Sequence, residues 1–211
     1  MLAAAHVLLL AYDNGAPNSR LPPLGWSSWV ALGPDADTDH AATPVFDFCD
    51  EVSVKASMDA FVSDEVGLYK AGYRHFHLDD CWADLERNAS GYLQAERDHF
   101  PNGMAPIVQY AHAKGLTFGL YTCAGTHTCV GGRPGSKGHF VEDANVFAEW
   151  AVDVVKMDWC NTRSLVGVTN SMPILQLAAR LLAHTGIASV YRPLLAGAWI
   201  LRRRTRNSPR R

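Results

Sequence analysis

After Asp158 the sequence contains no aspartate and no glutamate. All 21 acidic residues lie in residues 1–158 against ten Lys and Arg, a balance of −11, whereas residues 159–211 carry nine Arg and a balance of +9. Any chemistry that needs a carboxylate must therefore draw it from the first three quarters of the chain. The whole-chain net charge of −2 gives no reason to expect a nucleic-acid partner. The tail RRRTRNSPRR could hold polyanions, but it reads first as a disordered or artefactual C-terminus. Long hydrophobic runs are also missing. The run Leu2 to Ala11 matches the apolar part of a signal peptide, about 7–15 residues, and falls short of the roughly 20 needed to span a bilayer as a helix. No Lys or Arg precedes it and no clean small-x-small site follows, so a secretory signal, a buried first strand and a mis-assigned start all remain open. No other run points to a membrane. G-x-G-x-x-G, P-loop and C-x-x-C patterns are absent, which weakens a nucleotide-binding or redox reading.

Cysteine is scarce and odd in number: Cys49, Cys81, Cys123, Cys129 and Cys160. If four of them bridge, one thiol is left over. Cys123, His127 and Cys129 match no common zinc spacing, and no metal is expected. Asn88-Ala89-Ser90 is a glycosylation acceptor pattern, meaningful only in a secreted chain.

What is present alternates between two periods. Leu24–Val30 reads as a strand after Pro22-Pro23, residues 53–70 as a helix, and His75–Asp80 as a strand ending in two carboxylates. A helix over 103–114 precedes the near-continuous apolar strand Leu116–Thr122, as expected of a strand covered on both faces. A helix over 141–150, the strand Val152–Trp159 and a helix over 173–184 follow. Alternation of this kind implies parallel βαβ units. Right-handed crossovers then leave a doubly wound sheet or a barrel. Both gather chemistry at strand C-termini, where Trp29, Asp79, Asp80, Tyr121 and Asp158 fall.

In an alternating strand Lys156 and Asp158 point to one face. A cation beside a carboxylate keeps it ionised, which suits a nucleophile attacking an anomeric carbon. The same pattern also suits an interior ion pair. Asp79 and Asp80 should splay to opposite sides, one inward and one toward the rim. With Trp82 following, they suit a sugar's hydroxyls and apolar ring face, or equally a helix cap or a solvated turn. Trp29 could floor such a pocket and Tyr121 could add a hydroxyl; each could instead be core. Cys49 with Cys81, and Cys129 with Cys160, are plausible bridges if their Cα atoms approach within about 7 Å.

The segments LPPLGWSSW, AGYRHFHLDDCWAD, FPNGMAPIVQYAHAKGLTFGLY and WAVDVVKMDWCN, in this order and spacing, resemble glycoside hydrolase family 27, the α-galactosidases and α-N-acetylgalactosaminidases. The likeness runs from about Asp13 to Gly186. It implies a (β/α)8 barrel, here about the first four βα units over residues 13–186. Residues 1–12 would be a signal peptide or N-terminal extension, and residues 187–211 a non-family Arg-rich tail. It implies a retaining hydrolase of terminal α-linked galactose with no cofactor. Asp158 would be the nucleophile, with Trp29, Asp79, Asp80, Tyr121 and Lys156 binding the sugar. It also implies Cys49–Cys81 and Cys129–Cys160 disulfides, a secreted or lysosomal or vacuolar location, and a homodimer for the full-length family form. Cys123 departs from the family pattern. The acid/base carboxylate, which the family carries on a later strand loop, has no counterpart after Asp158, and the segment after Gly186 does not resemble the family's fifth strand. A truncated gene model, a retained intron or a frameshift near Gly186 would explain both. The alternatives are a non-catalytic carbohydrate-binding remnant and an α-N-acetylgalactosaminidase.

Overall fold

The computed structural model describes residues 23–31, 49–130, 132–162 and 188–191. The first apolar run, the helix expected over 173–184 and, apart from residues 188–191, the Arg-rich tail lie outside the described residues. Among the described residues the elements in chain order are β1 (Gly25–Ser27), α1 (Ser28–Ala31), α2 (Glu51–Val62), β2 (His75–Leu78), α3 (Ala105–Ala113), β3 (Thr117–Cys123), α4 (Phe140–Glu149), β4 (Val154–Asp158) and β5 (Ala188–Tyr191). All four ladders are parallel and the strand order is β1-β2-β3-β4-β5. A doubly wound sheet reverses its order at a switch point; strict succession is the order of a (β/α)8 barrel wall. The fold is thus a partial barrel of the α/β class.

Three elements differ from their sequence reading. The strand expected over Leu24–Val30 is only Gly25–Ser27, because Ser28 opens a helical turn that carries Trp29. The helix expected to run to Lys70 stops at Val62. Ser63 leaves helical geometry and its hydroxyl donates to the Ala60 carbonyl at 2.7 Å, a local bond that competes with helix continuation. At the other end Asp50 caps α2, its Oδ1 accepting the Ser53 N–H at 2.7 Å. Finally, a fifth strand follows Gly186: Ala188–Tyr191 pairs with Val154–Met157.

The two faces of the sheet carry different chemistry. Phe76, Leu78, Phe118, Leu120 and Val155 pack in one core with Val54, Met58 and Phe61 of α2 and Ile107, Val108 and Ala111 of α3. Alternation sends His75, His77, Gly119, Tyr121, Lys156 and Asp158 to the other side. So the apolar cover lies on the helix face, and the lumen face is polar. Gly119 is required there, since an added Cβ would come within 2.7 Å of His75 Cε1 and collide with His77.

Candidate functional site

The register fixes which side chains meet. Tyr121 pairs with Lys156, and Cys123 with Asp158, across the β3–β4 ladder. β2 ends at Leu78, and the next two residues are the paired acids. The Asp79 N–H donates to the Ser28 hydroxyl at 2.8 Å, tying the acids to the turn that carries Trp29. Lys156 Nζ then donates to Asp79 Oδ2 at 2.6 Å. The same ammonium sits 5.7 Å from the Trp29 ring centroid and 4.9 Å from that of Tyr121, within cation–π range of both. Strands β1, β2, β3 and β4 thereby deliver Trp29, Asp79, Tyr121 and Lys156 to one place.

The expected splay of the acids holds only in part. They take different partners, but neither faces a solvated rim: both are 2% exposed. Asp80 Oδ2 accepts the Val130 N–H at 2.9 Å, while its Oδ1 is buried with no hydrogen bond. Burial pushes the Asp80 carboxyl up to about 6, opposed by the Val130 N–H. Burial also drives the Tyr121 phenol far above its ordinary value, with Asp80 and Asp158 adding to the rise. Its hydroxyl stays neutral and accepts the Cys129 N–H at 3.4 Å.

Asp158 is 7% exposed, and its Oδ1 accepts the Trp159 N–H at 2.8 Å. Lys156, two positions earlier on the same strand, hydrogen-bonds Asp79, 77 positions upstream. A carboxylate oxygen of Asp158 and the sulfurs of Cys129 and Cys160 lie within 4.8 Å of one another. Those sulfurs are bonded together, with Cα atoms 5.1 Å apart, so they offer no thiolates to an ion. This also removes Cys129 from the zinc grouping with Cys123 and His127. The second disulfide joins Cys49 to Cys81, Cα–Cα 6.2 Å, fastening the segment before α2 to the residue after the paired acids. Cys123 is the leftover thiol. It is buried, donates to the Cys160 carbonyl and accepts the Cys160 N–H, both at 3.1 Å. Burial pushes this thiol up, away from thiolate.

Sequence reasoning missed Ser28, His75 and His77. His77 Nε2 stands 3.6 Å from Asp79 Oδ2, beyond hydrogen-bond length, and is buried without a partner. Burial lowers both imidazoles to about 3, helped by the charge of His77 on His75 and of Lys156 on His77, so both are neutral near neutrality. The alternation in HFHLDD already places His75, His77 and Asp79 on one face, so the signal was available. Chemically, the site is a buried face of two carboxylates and one ammonium with aromatic flanks, beside a third carboxylate on β4. It offers hydrogen-bond acceptors, the Lys156 ammonium and the Tyr121 hydroxyl as donors, and ring surfaces to a small polyhydroxylated ligand.

The chain as a whole is similar in sequence to several curated proteins. Alpha-galactosidase A of Cellvibrio japonicus is 41% identical over 147 residues, 70% of this chain and 32% of that protein. Alpha-galactosidase A of Homo sapiens is 35% identical over 181 residues, 86% of this chain and 40% of that protein. Among solved structures, alpha-galactosidase I of Mortierella vinacea superposes with a TM-score of 0.63 at 31% identity, covering 80% of this chain and 38% of that one. An alpha-galactosidase of Saccharomyces cerevisiae, also solved with raffinose, gives 0.64 at 31% identity, covering 81% and 34%. The chain spans about a third of the length of the first curated relatives it matches, at 32% and 34%. The model of the family described as alpha galactosidase A matches residues 21–205, extending past Gly186 through the fifth strand. With that match over most of its length, the chain belongs to the alpha galactosidase A family.

Proposed function

We propose that this chain forms the nucleophile-bearing half of a retaining α-galactosidase site. Asp158 is the nucleophile. Asp79, Asp80, Lys156, Tyr121 and Trp29 hold the galactose ring. The observation that carries the reading is the Lys156–Asp79 bond of 2.6 Å on the face that Asp158 shares. It gathers an acceptor, a donor and two aromatic rings beside a carboxylate at a strand C-terminus, where barrels of this kind place their chemistry.

In the mechanism, sugar hydroxyls donate to the carboxylates and accept from Lys156. That fixes the anomeric carbon opposite Asp158. Asp158 attacks that carbon and forms a glycosyl-enzyme bond while the aglycone oxygen departs. A second carboxyl about 5–5.5 Å away must protonate that oxygen and then activate water. No residue after Asp158 can serve. In this reading the carboxyls up to Asp158 serve binding and attack, and the proton donor has no assigned residue. A galactosyl donor whose leaving group needs no protonation tests the assignment directly. The second reading, sugar binding without turnover, is favoured by the same missing carboxyl. The two disulfides support a secreted or lysosomal or vacuolar setting, since such bonds persist in oxidising compartments.

A further inference from the structure

The loop after β2 carries a feature that sugar cleavage does not use. Residues 82–96 fold back on themselves as a ribbon. Ala83 bridges Ala95, the Asp84 N–H donates to the Gln94 carbonyl at 3.0 Å, and the Glu96 N–H to the Trp82 carbonyl at 2.9 Å. Its tip is Asn88-Ala89-Ser90, all three exposed. This is the one Asn-x-Ser/Thr in the 211 residues.

The tip is held open in a defined shape. Asn88 Oδ1 accepts the N–H groups of Ser90 and Tyr92, each at 3.0 Å. The Asn88 N–H donates to the Tyr92 carbonyl at 2.9 Å. Arg87 anchors the base, with one nitrogen on the Gly91 carbonyl and a two-pronged pair to Asp143. Among the described residues both side-chain hydrogen bonds of Asn88 fall on Oδ1 and none on Nδ2. The Oδ1 bond to Ser90 spans two residues, so it can form locally before the barrel does. Leu85 and Tyr92, 58% and 40% exposed, flank the tip as apolar surface a hydrophilic cover would shield. The two disulfides are a separate observation pointing to the oxidising lumen where such modification takes place.

We propose that Asn88 carries an N-linked oligosaccharide, transferred from a lipid-diphosphate-linked donor. The Nδ2 nitrogen bonds to the donor's anomeric carbon, the bond from that carbon to the diphosphate oxygen breaks, the lipid diphosphate leaves, and the amide gives up one proton. The folded ribbon accepts the product without rearrangement, because the reacting atom sits at an exposed turn. The proposal stands apart from the catalytic reading.

The test is translation of the full chain behind a cleavable secretory leader in a lysate supplied with endoplasmic-reticulum microsomes. The expected product is protease-protected, migrates as one retarded band, and returns to the unmodified position after endoglycosidase. N88Q and S90A lose the retarded band, whereas S90T keeps it. Transfer precedes folding, so misfolding of a variant cannot imitate this pattern. A protected wild-type chain that migrates unmodified, or retardation that survives in N88Q, overturns the proposal.

Discussion

Lys156 Nζ lies 2.6 Å from Asp79 Oδ2, joining the fourth strand to the end of the second across 77 positions of sequence. Asp79 is 2% exposed, and its Oδ2 accepts this bond while its Oδ1 accepts the Asp80 N–H. K156M should leave a buried acceptor unsatisfied, costing about 1–3 kcal/mol, with more expected for a charged group. Chemical denaturation measures that loss. D79N in the same background should restore part of it, because a neutral amide no longer needs the cation.

A second ion pair governs the outer wall. Arg87 grips both oxygens of Asp143 at 2.6 and 2.9 Å, and Asp143 is 2% exposed. D143A strands a guanidinium that is itself only 12% exposed. The expected destabilisation is about 3–5 kcal/mol, read as a lower denaturation midpoint. The paired change R87M/D143L should recover most of it, since removing both charges also removes the unpaired one.

Acid should unfold the chain through its two lumen histidines. Folded His75 and His77 titrate at about 3 against an ordinary 6.5. Between those values the unfolded chain binds more protons, so stability falls as pH drops below about 6.5. Asp80 acts oppositely: at about 6 against 3.8, the folded form binds more protons, and stability falls as pH rises through that window. Two imidazoles with larger displacements outweigh one carboxyl, so net stability declines from pH 7 toward 4. Denaturation midpoints across that range should show a shallower decline in H77N and a steeper one in D80N.

Purified alone, the chain should show no turnover of aryl α-galactosides above a D158N control, because under the proposed assignment no carboxyl follows Asp158 to act as the acid/base. β1 and β5 end the described sheet with one edge each unpaired, so low soluble yield should accompany the lost activity. Turnover above the control would contradict this.

The parallel α/β class, the alternation of elements and the strand ends bearing Asp79, Asp80, Tyr121 and Asp158 were legible because period and polarity change together along the chain. The fifth strand was not. Its residues end on no acidic residue, so no strand-end carboxylate marks Ala188–Tyr191 as part of the sheet; pairing with β4 does. That Lys156 shares a cavity with the paired acids was legible, but its bond to Asp79 was not. Spacing on one strand suggested Asp158, and only register between strands brings Asp79 to it. The stop of α2 at Ser63 rests on one side-chain bond that hydrophobic spacing does not encode.

The nucleophile assignment is tested most directly by covalent trapping. The chain is incubated with a fluorine-deactivated α-galactosyl fluoride, whose fluoride leaves without protonation, and peptides are then mapped by mass spectrometry. One galactosyl-derived mass on the peptide containing Asp158, absent from D158N, is the predicted result. An adduct on Asp79 or Asp80, or no adduct on any carboxylate, would contradict it.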